Sequence, residues 1–135
     1  MRTIVVGYDG SEAAKRGLER AAELVENGAS VAVVSAVPLT LPGKGAVKPY
    51  TPWEDEEHRQ QLEEAKAALA AKGVASEMVE GVGDAADLIV DQARERIADL
   101  IIVGTHGKNM AKRLALGSVS TKVVQHAPCD VLVVR

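Results

Sequence analysis

Short β-branched runs alternate with helical segments along the whole chain, and this alternation constrains the fold most. Ile4-Val5-Val6 is closed by Gly7, Val31 to Val37 by Pro38, and Leu100-Ile101-Ile102-Val103 by Gly104. None of these runs alternates apolar with polar residues, so each reads as a strand buried on both faces. Between them lie segments of helical period. Ala14, Leu18, Ala21, Ala22 and Val25 share one helical face, and Ser11 is a plausible N-cap for it. Gly28 suits the left-handed position beyond that helix. A charged helix from Trp53 to Lys72 carries Leu62, Ala65 and Leu69 at core spacing and stops at Gly73. Asp84 can cap a third helix with Ala85, Leu88, Ile89, Ala93 and Ile97 inward, and Ser118 to His126 forms a fourth before Pro128. Glu77 to Glu80 is a weak third strand and Val131 to Val134 a fifth.

The order β-α-β-α-β-α-β-α-β predicts an α/β fold: a doubly wound parallel sheet with helices on both faces, in one domain spanning 1–135. The expected strand order is 3-2-1-4-5, with the switch point between the first and fourth strands. Composition agrees with a core of small aliphatics, since the chain of 135 residues has two Tyr, one Trp and no Phe. So few rings leave no stacking platform for single-stranded nucleic acid. A net charge of −3 supplies no basic field for DNA or anionic membrane. No apolar run approaches the roughly 18 residues that would span a bilayer. The lone Cys129 can form neither an internal disulfide nor a Cys-based zinc site, and a reducing cytoplasm fits it.

One echo marks the switch point. Ile4-Val5-Val6-Gly7-Tyr8-Asp9-Gly10-Ser11 and Ile101-Ile102-Val103-Gly104-Thr105-His106-Gly107-Lys108 both read strand, Gly, two residues, Gly. In the expected order the two loops lie side by side, where open α/β sheets bind ligands. Gly104-Thr105-His106-Gly107, nine residues and then Gly117-Ser118 would form a phosphate cradle. Glycines let backbone N–H groups approach an anion, and a helix start attracts negative charge. Lys108, Lys112 and Arg113 lie between the two parts. The plainer alternative is that these glycines serve turns and Ser118 a cap.

These motifs resemble the universal stress protein family, whose nucleotide signature is Gly-x2-Gly-x9-Gly-[Ser/Thr] after the fourth strand. The resemblance covers the whole chain, from Ile4 to Glu12, through Asp99 to Gly107, to Leu116-Gly117-Ser118-Val119-Ser120 and Ala127 to Val134. It implies an adenine nucleotide alpha hydrolase-like fold that binds ATP, with magnesium as an optional companion. By that resemblance Asp9 contacts the nucleoside and the backbone of Ala36 meets adenine. Gly104, Gly107, Gly117, Ser118 and Val119 match phosphate and ribose contacts, and Ser120 offers a hydroxyl. Gly7 departs from the Pro or Ala common in the family, which loosens the first loop. The resemblance also implies a homodimer paired through Val131 to Val134.

Other features carry less. Gly81-Val82-Gly83-Asp84-Ala85-Ala86 fits a dinucleotide fingerprint but follows an edge strand, and it reads as a tight turn into a capped helix. Walker A and Gly-x-Ser-x-Gly motifs are absent. His58, His106 and His126 form no i, i+4 metal pair. Trp53 anchors the Pro-rich loop at 38–52, the natural movable element, or covers the adenine. The acidic run from Glu54 to Glu57 suits a helix N-terminus. The expected role is nucleotide-dependent recognition rather than catalysis. The competing readings are a slow ATPase or phosphoryl or nucleotidyl transferase, and a stress-response dimer that binds no nucleotide.

Overall fold

A computed structural model of the chain describes residues 2–37, 56–105 and 117–135. The loop at 38–52, Trp53 and the His106, Gly107, Lys108, Lys112 and Arg113 stretch lie outside the described residues. The elements run β1 (Thr3–Gly7), α1 (Glu12–Leu24), β2 (Ser30–Val37), α2 (Glu56–Ala71), β3 (Ala75–Val82), α3 (Ala85–Arg96), β4 (Leu100–Gly104), α4 (Ser118–His126) and β5 (Asp130–Val134). The sheet has the order β3-β2-β1-β4-β5, with every neighbouring pair parallel. This is the doubly wound order expected from the sequence.

Side chains alternate across each strand and so sort into two layers. Ile4, Val6, Val31, Val33, Leu100 and Ile102 pack with Ala14, Leu18 and Ala21 of α1 and Ala65 and Leu69 of α2. Val5, Ala32, Val34, Ile101 and Val103 pack with Ala86, Ile89, Val90 and Ala93 of α3 and Val123 of α4. Both faces of β1 and β4 are therefore dry, which is why those strands read as unbroken apolar runs. The lack of rings has a geometric consequence. Alanine and glycine on the helices let α1 lie very close to the sheet, and Gly17 would bring a Cβ to 3.4 Å from Ile102 Cγ2.

Two sequence expectations need correction. Ile97 does not point inward: it is 85% exposed and holds φ 51° in the left-handed region at the end of α3. The helix ends at Arg96, and the reversed residue turns its side chain to solvent. This conformation costs a β-branched residue about 1–2 kcal/mol. Ala86 and Val90 carry the inner face of α3 instead. The third strand is also longer than Glu77 to Glu80, running eight residues from Ala75 to Val82. It is an edge strand with an alternating burial pattern, so its polar positions hid its length.

At the lower end of the sheet, Asp99 joins β1 to β4. Its carboxylate accepts the Thr3 and Arg2 N–H groups at 2.9 Å each. These bonds, Thr3 first, hold the carboxyl below its usual range.

Candidate functional site

The site lies at the carboxyl ends of β1 and β4, which pair through Ile4 with Leu100, Val5 with Ile101 and Val6 with Ile102. The two echoing segments therefore leave adjacent strands, at Gly7 and at Gly104.

The first loop is held from within. The Tyr8 N–H donates to the Val34 carbonyl at 2.9 Å. Asp9 Oδ1 accepts the Ser11 N–H at 2.9 Å, and Ser11 Oγ accepts the Ala14 N–H at 3.1 Å. Asp9 thus closes a turn onto Ser11, Ser11 is the N-cap expected for α1, and Asp9 remains exposed. Gly10 holds φ +80°, a conformation that favours glycine. Gly7 does not loosen this loop. A Cβ there would fall 2.5 Å from Ile89 Cδ1 and 3.2 Å from Val103 Cγ1, so α3 fills the space. Burial, and then the charge of Glu64, push the Tyr8 phenol above its ordinary range.

Ala36 stands where β2 outruns β1. The last β1–β2 pair is Gly7 with Val34, while β2 continues beside β3 as far as Val37 with Val82. Val34 turns its carbonyl toward β1 and Val37 turns its carbonyl to Gly83 on the β3 side. Strand groups alternate sides, so the N–H and C=O of Ala36 face the β1 side, beyond the last β1 pair. Among the described residues, no β1 residue pairs with that backbone edge.

The second loop is closed at its base. The Thr105 N–H donates to the Val134 carbonyl at 2.8 Å, and the Thr105 carbonyl accepts the Gly117 N–H at 2.5 Å. Ser120 Oγ lies 3.0 Å from the Thr105 carbonyl and 3.1 Å from the Gly117 carbonyl. Ser120 is 1% exposed, so its hydroxyl is buried and spent on tying Thr105 to the start of α4. The Gly117 N–H is likewise committed. Gly117 caps α4 with no side-chain bond to the first turn, unlike Ser11 on α1 and Asp84 on α3. The donors that α4 presents are the backbone N–H groups of Ser118, Val119 and Ser120. Ser118 and Val119 are exposed.

Gly104 carries a different constraint from the one its motif suggests. A Cβ there would lie 2.8 Å from Ala13 Cβ, with Ala13 C and Ala14 N at 3.5 Å behind it. Packing of α1 therefore demands the glycine, whatever else approaches it.

Neighbouring charges fix the helices. Lys122 Nζ on α4 lies 3.1 Å from Asp84 Oδ2 and 3.0 Å from Asp87 Oδ1 on α3. The Asp87 N–H, and then Lys122, hold the Asp84 carboxyl below its usual range. The dinucleotide-like segment is the expected turn: Gly83 holds φ +130° and Asp84 caps α3. Burial pushes the half-buried Cys129 thiol up, away from a reactive thiolate. Among the described residues, no three His, Cys, Asp or Glu side chains converge to hold a metal, and no helix is long and apolar enough to cross a membrane.

Sequence reasoning missed Ala13, Gln61, Ile89, Thr105 and Lys122. Ile89 counted only as core, and Thr105 acts through its carbonyl, which no side-chain pattern reveals.

A family model described as the universal stress protein family matches residues 1–135. A universal stress protein of Thermus aquaticus is 39% identical over 99% of this chain and 98% of its own. The universal stress protein YxiE of Bacillus subtilis is 35% identical over 98% of this chain and 97% of its own. Among solved structures, a universal stress protein in complex with cAMP is 29% identical at a TM-score of 0.74, covering 99% of this chain and 96% of its own. The universal stress protein of Archaeoglobus fulgidus in complex with dAMP is 29% identical at a TM-score of 0.72, covering 100% and 98%. On sequence and fold together, this chain belongs to the universal stress protein family.

Proposed function

We propose that this protein binds an adenine nucleotide, ATP foremost, and acts through recognition of the bound state rather than through turnover. One observation supports the reading: β1 and β4 are neighbours, and the Asp9 loop, the β1-facing backbone of Ala36 and the start of α4, tied to Thr105, all lie toward their carboxyl ends. Adenine would hydrogen-bond to the Ala36 backbone and ribose to Asp9. The phosphates would lie on the N–H groups of Ser118, Val119 and Ser120, where the helix dipole favours negative charge. Gly104 and Gly117 hold the cradle's shape, and Gly107 belongs to it by its motif. The cAMP and dAMP complexes of two relatives support an adenine nucleotide as the ligand class.

Among the described residues assigned to the nucleotide, Asp9 is the one carboxylate, and one of its oxygens already accepts the Ser11 N–H. A magnesium ion would therefore travel on the phosphates rather than in a protein cage. Phosphoryl transfer needs a positioned base or metal carboxylates beyond this one, so recognition is the better-supported role. A cytoplasmic setting suits the unreactive thiol of Cys129.

Denaturing the purified protein and analysing what it releases by mass spectrometry tests the reading, with calorimetric titration of ATP, ADP and AMP beside it. A released adenine nucleotide or a saturating heat is expected. Neither one appearing would sink the proposal.

We also propose a homodimer formed through β5. This strand ends the sheet, and Val131, Leu132, Val133 and Val134 are only half-buried, while the residues of β4 beside them are dry. An apolar edge of this kind is a pairing template. Light scattering should return twice the mass of 14.2 kDa; a monomer at every concentration would overturn the pairing.

A further inference from the structure

The Asp9-Gly10 turn has a neighbour that the family motifs do not include. Gln61, in the second turn of α2, lays its amide against Gly10. A Cβ built on Gly10 would fall 2.9 Å from Gln61 Cδ, 3.0 Å from Nε2 and 3.3 Å from Oε1. The whole amide head thus occupies the space that a side chain at residue 10 would take. Glycine at this position is required by its φ of +80°, and the absence of a Cβ leaves the room that the Gln61 head fills.

This contact holds Gln61 partly out of solvent. Its side chain is half-buried, and holding it there forfeits rotamer freedom. Among the described residues, its amide has no hydrogen-bond partner. A polar head fixed beside a site loop with donor and acceptor capacity to spare is suited to a ligand.

We propose that Gln61 is a specificity-determining residue that, together with Asp9, reads a sugar hydroxyl of the bound nucleotide. This rests on the nucleotide reading of the site. The chemistry of the pair is complementary. An ionised carboxylate such as Asp9 only accepts hydrogen bonds, whereas an amide nitrogen only donates them. A hydroxyl does both: its proton goes to Asp9, and its oxygen receives a Gln61 Nε2–H. A sugar lacking that hydroxyl leaves both groups without the partner, so the pair selects ribose over 2′-deoxyribose. Loss of a well-made polar contact of this kind changes affinity by about tenfold.

The test compares AMP with 2′-deoxy-AMP by calorimetry on the wild type and on Gln61→Ala. Alanine is a better helix former than glutamine and leaves α2 intact, and circular dichroism and the melting temperature check this directly. The expected result is an AMP preference of about tenfold in the wild type, falling to within about twofold in Gln61→Ala. A role limited to packing would weaken both ligands equally and keep the ratio. An unchanged ratio in the variant, or equal affinities in the wild type, overturns the assignment of Gln61 while leaving the nucleotide reading in place. Failure of both nucleotides to bind the wild type overturns that reading and this one with it.

Discussion

Replacing Gly104 with valine is expected to destabilise the protein by roughly 3 kcal/mol, the upper end for overpacking a close-packed interior. The cause is steric. The new Cβ would lie 2.8 Å from Ala13 Cβ, and alanine has no rotamer into which to retreat. Relief requires moving the α1 backbone, with Ala13 C and Ala14 N 3.5 Å away. That backbone is pinned by the Ser11 cap and by Leu18 and Ala21 in the core. Gly7→Ala is the informative control. Its closest collision, at 2.5 Å, is with Ile89 Cδ1, the end of a flexible side chain, so the cost should stay near 1 kcal/mol. Urea unfolding of both variants checks the contrast. If Gly104→Val were as mild as Gly7→Ala, the account of α1 packing would be wrong. The result also bears on how the glycine signature is probed. A bulky residue at Gly104 disturbs the fold as well as any ligand, so lost binding there would not report on phosphate contact.

The second large effect is stabilisation by ligand. With ATP at about 100 times its dissociation constant, the folded state should gain about 2.7 kcal/mol by mass action. For a domain of this size, that corresponds to a rise in Tm of roughly 10 °C. Asp9→Asn is the companion variant. The Asn side-chain oxygen can still accept the Ser11 N–H, so the turn survives, while the charge that would meet the ribose hydroxyls is gone. The unliganded Tm should hardly change, and about tenfold more ATP should be needed for the same shift. Differential scanning fluorimetry over an ATP series reads both quantities. A wild-type Tm indifferent to ATP, ADP and AMP would contradict the proposed function.

These two predictions mark how far the sequence could be read. The motif glycines were legible as a set, because a glycine at a strand end is visible in one dimension. Their separate duties were not. Gly104 answers to Ala13 and Gly7 to Ile89, and both partners are distant in the chain. Ser120 was legible as a hydroxyl near the cradle, yet its direction is set by the Thr105 carbonyl, 15 residues earlier in the chain. Ile97 fitted the helical period and still points to solvent, since a periodic pattern does not say where the last turn stops.

The near-absence of rings takes on a meaning at the site as well. Adenine would have almost no aromatic surface to stack on, so a backbone edge and aliphatic walls must hold it.

By itself, the sequence determined the strands, the helices and their order. Buried parallel strands must be apolar on both faces, and helices must repeat near every 3.6 residues; both periods are local. Right-handed crossovers then left few topologies, so the switch point followed as well. Only the tertiary structure decided which backbone groups remain available there. Among the described residues, Ala36 lies beyond the β1 ladder because β2 outruns β1, the Thr105 carbonyl takes the Gly117 N–H at the start of α4, and Gln61 meets Gly10 because α2 packs beside α1. Each depends on register or packing between segments far apart in the chain, which no local pattern encodes.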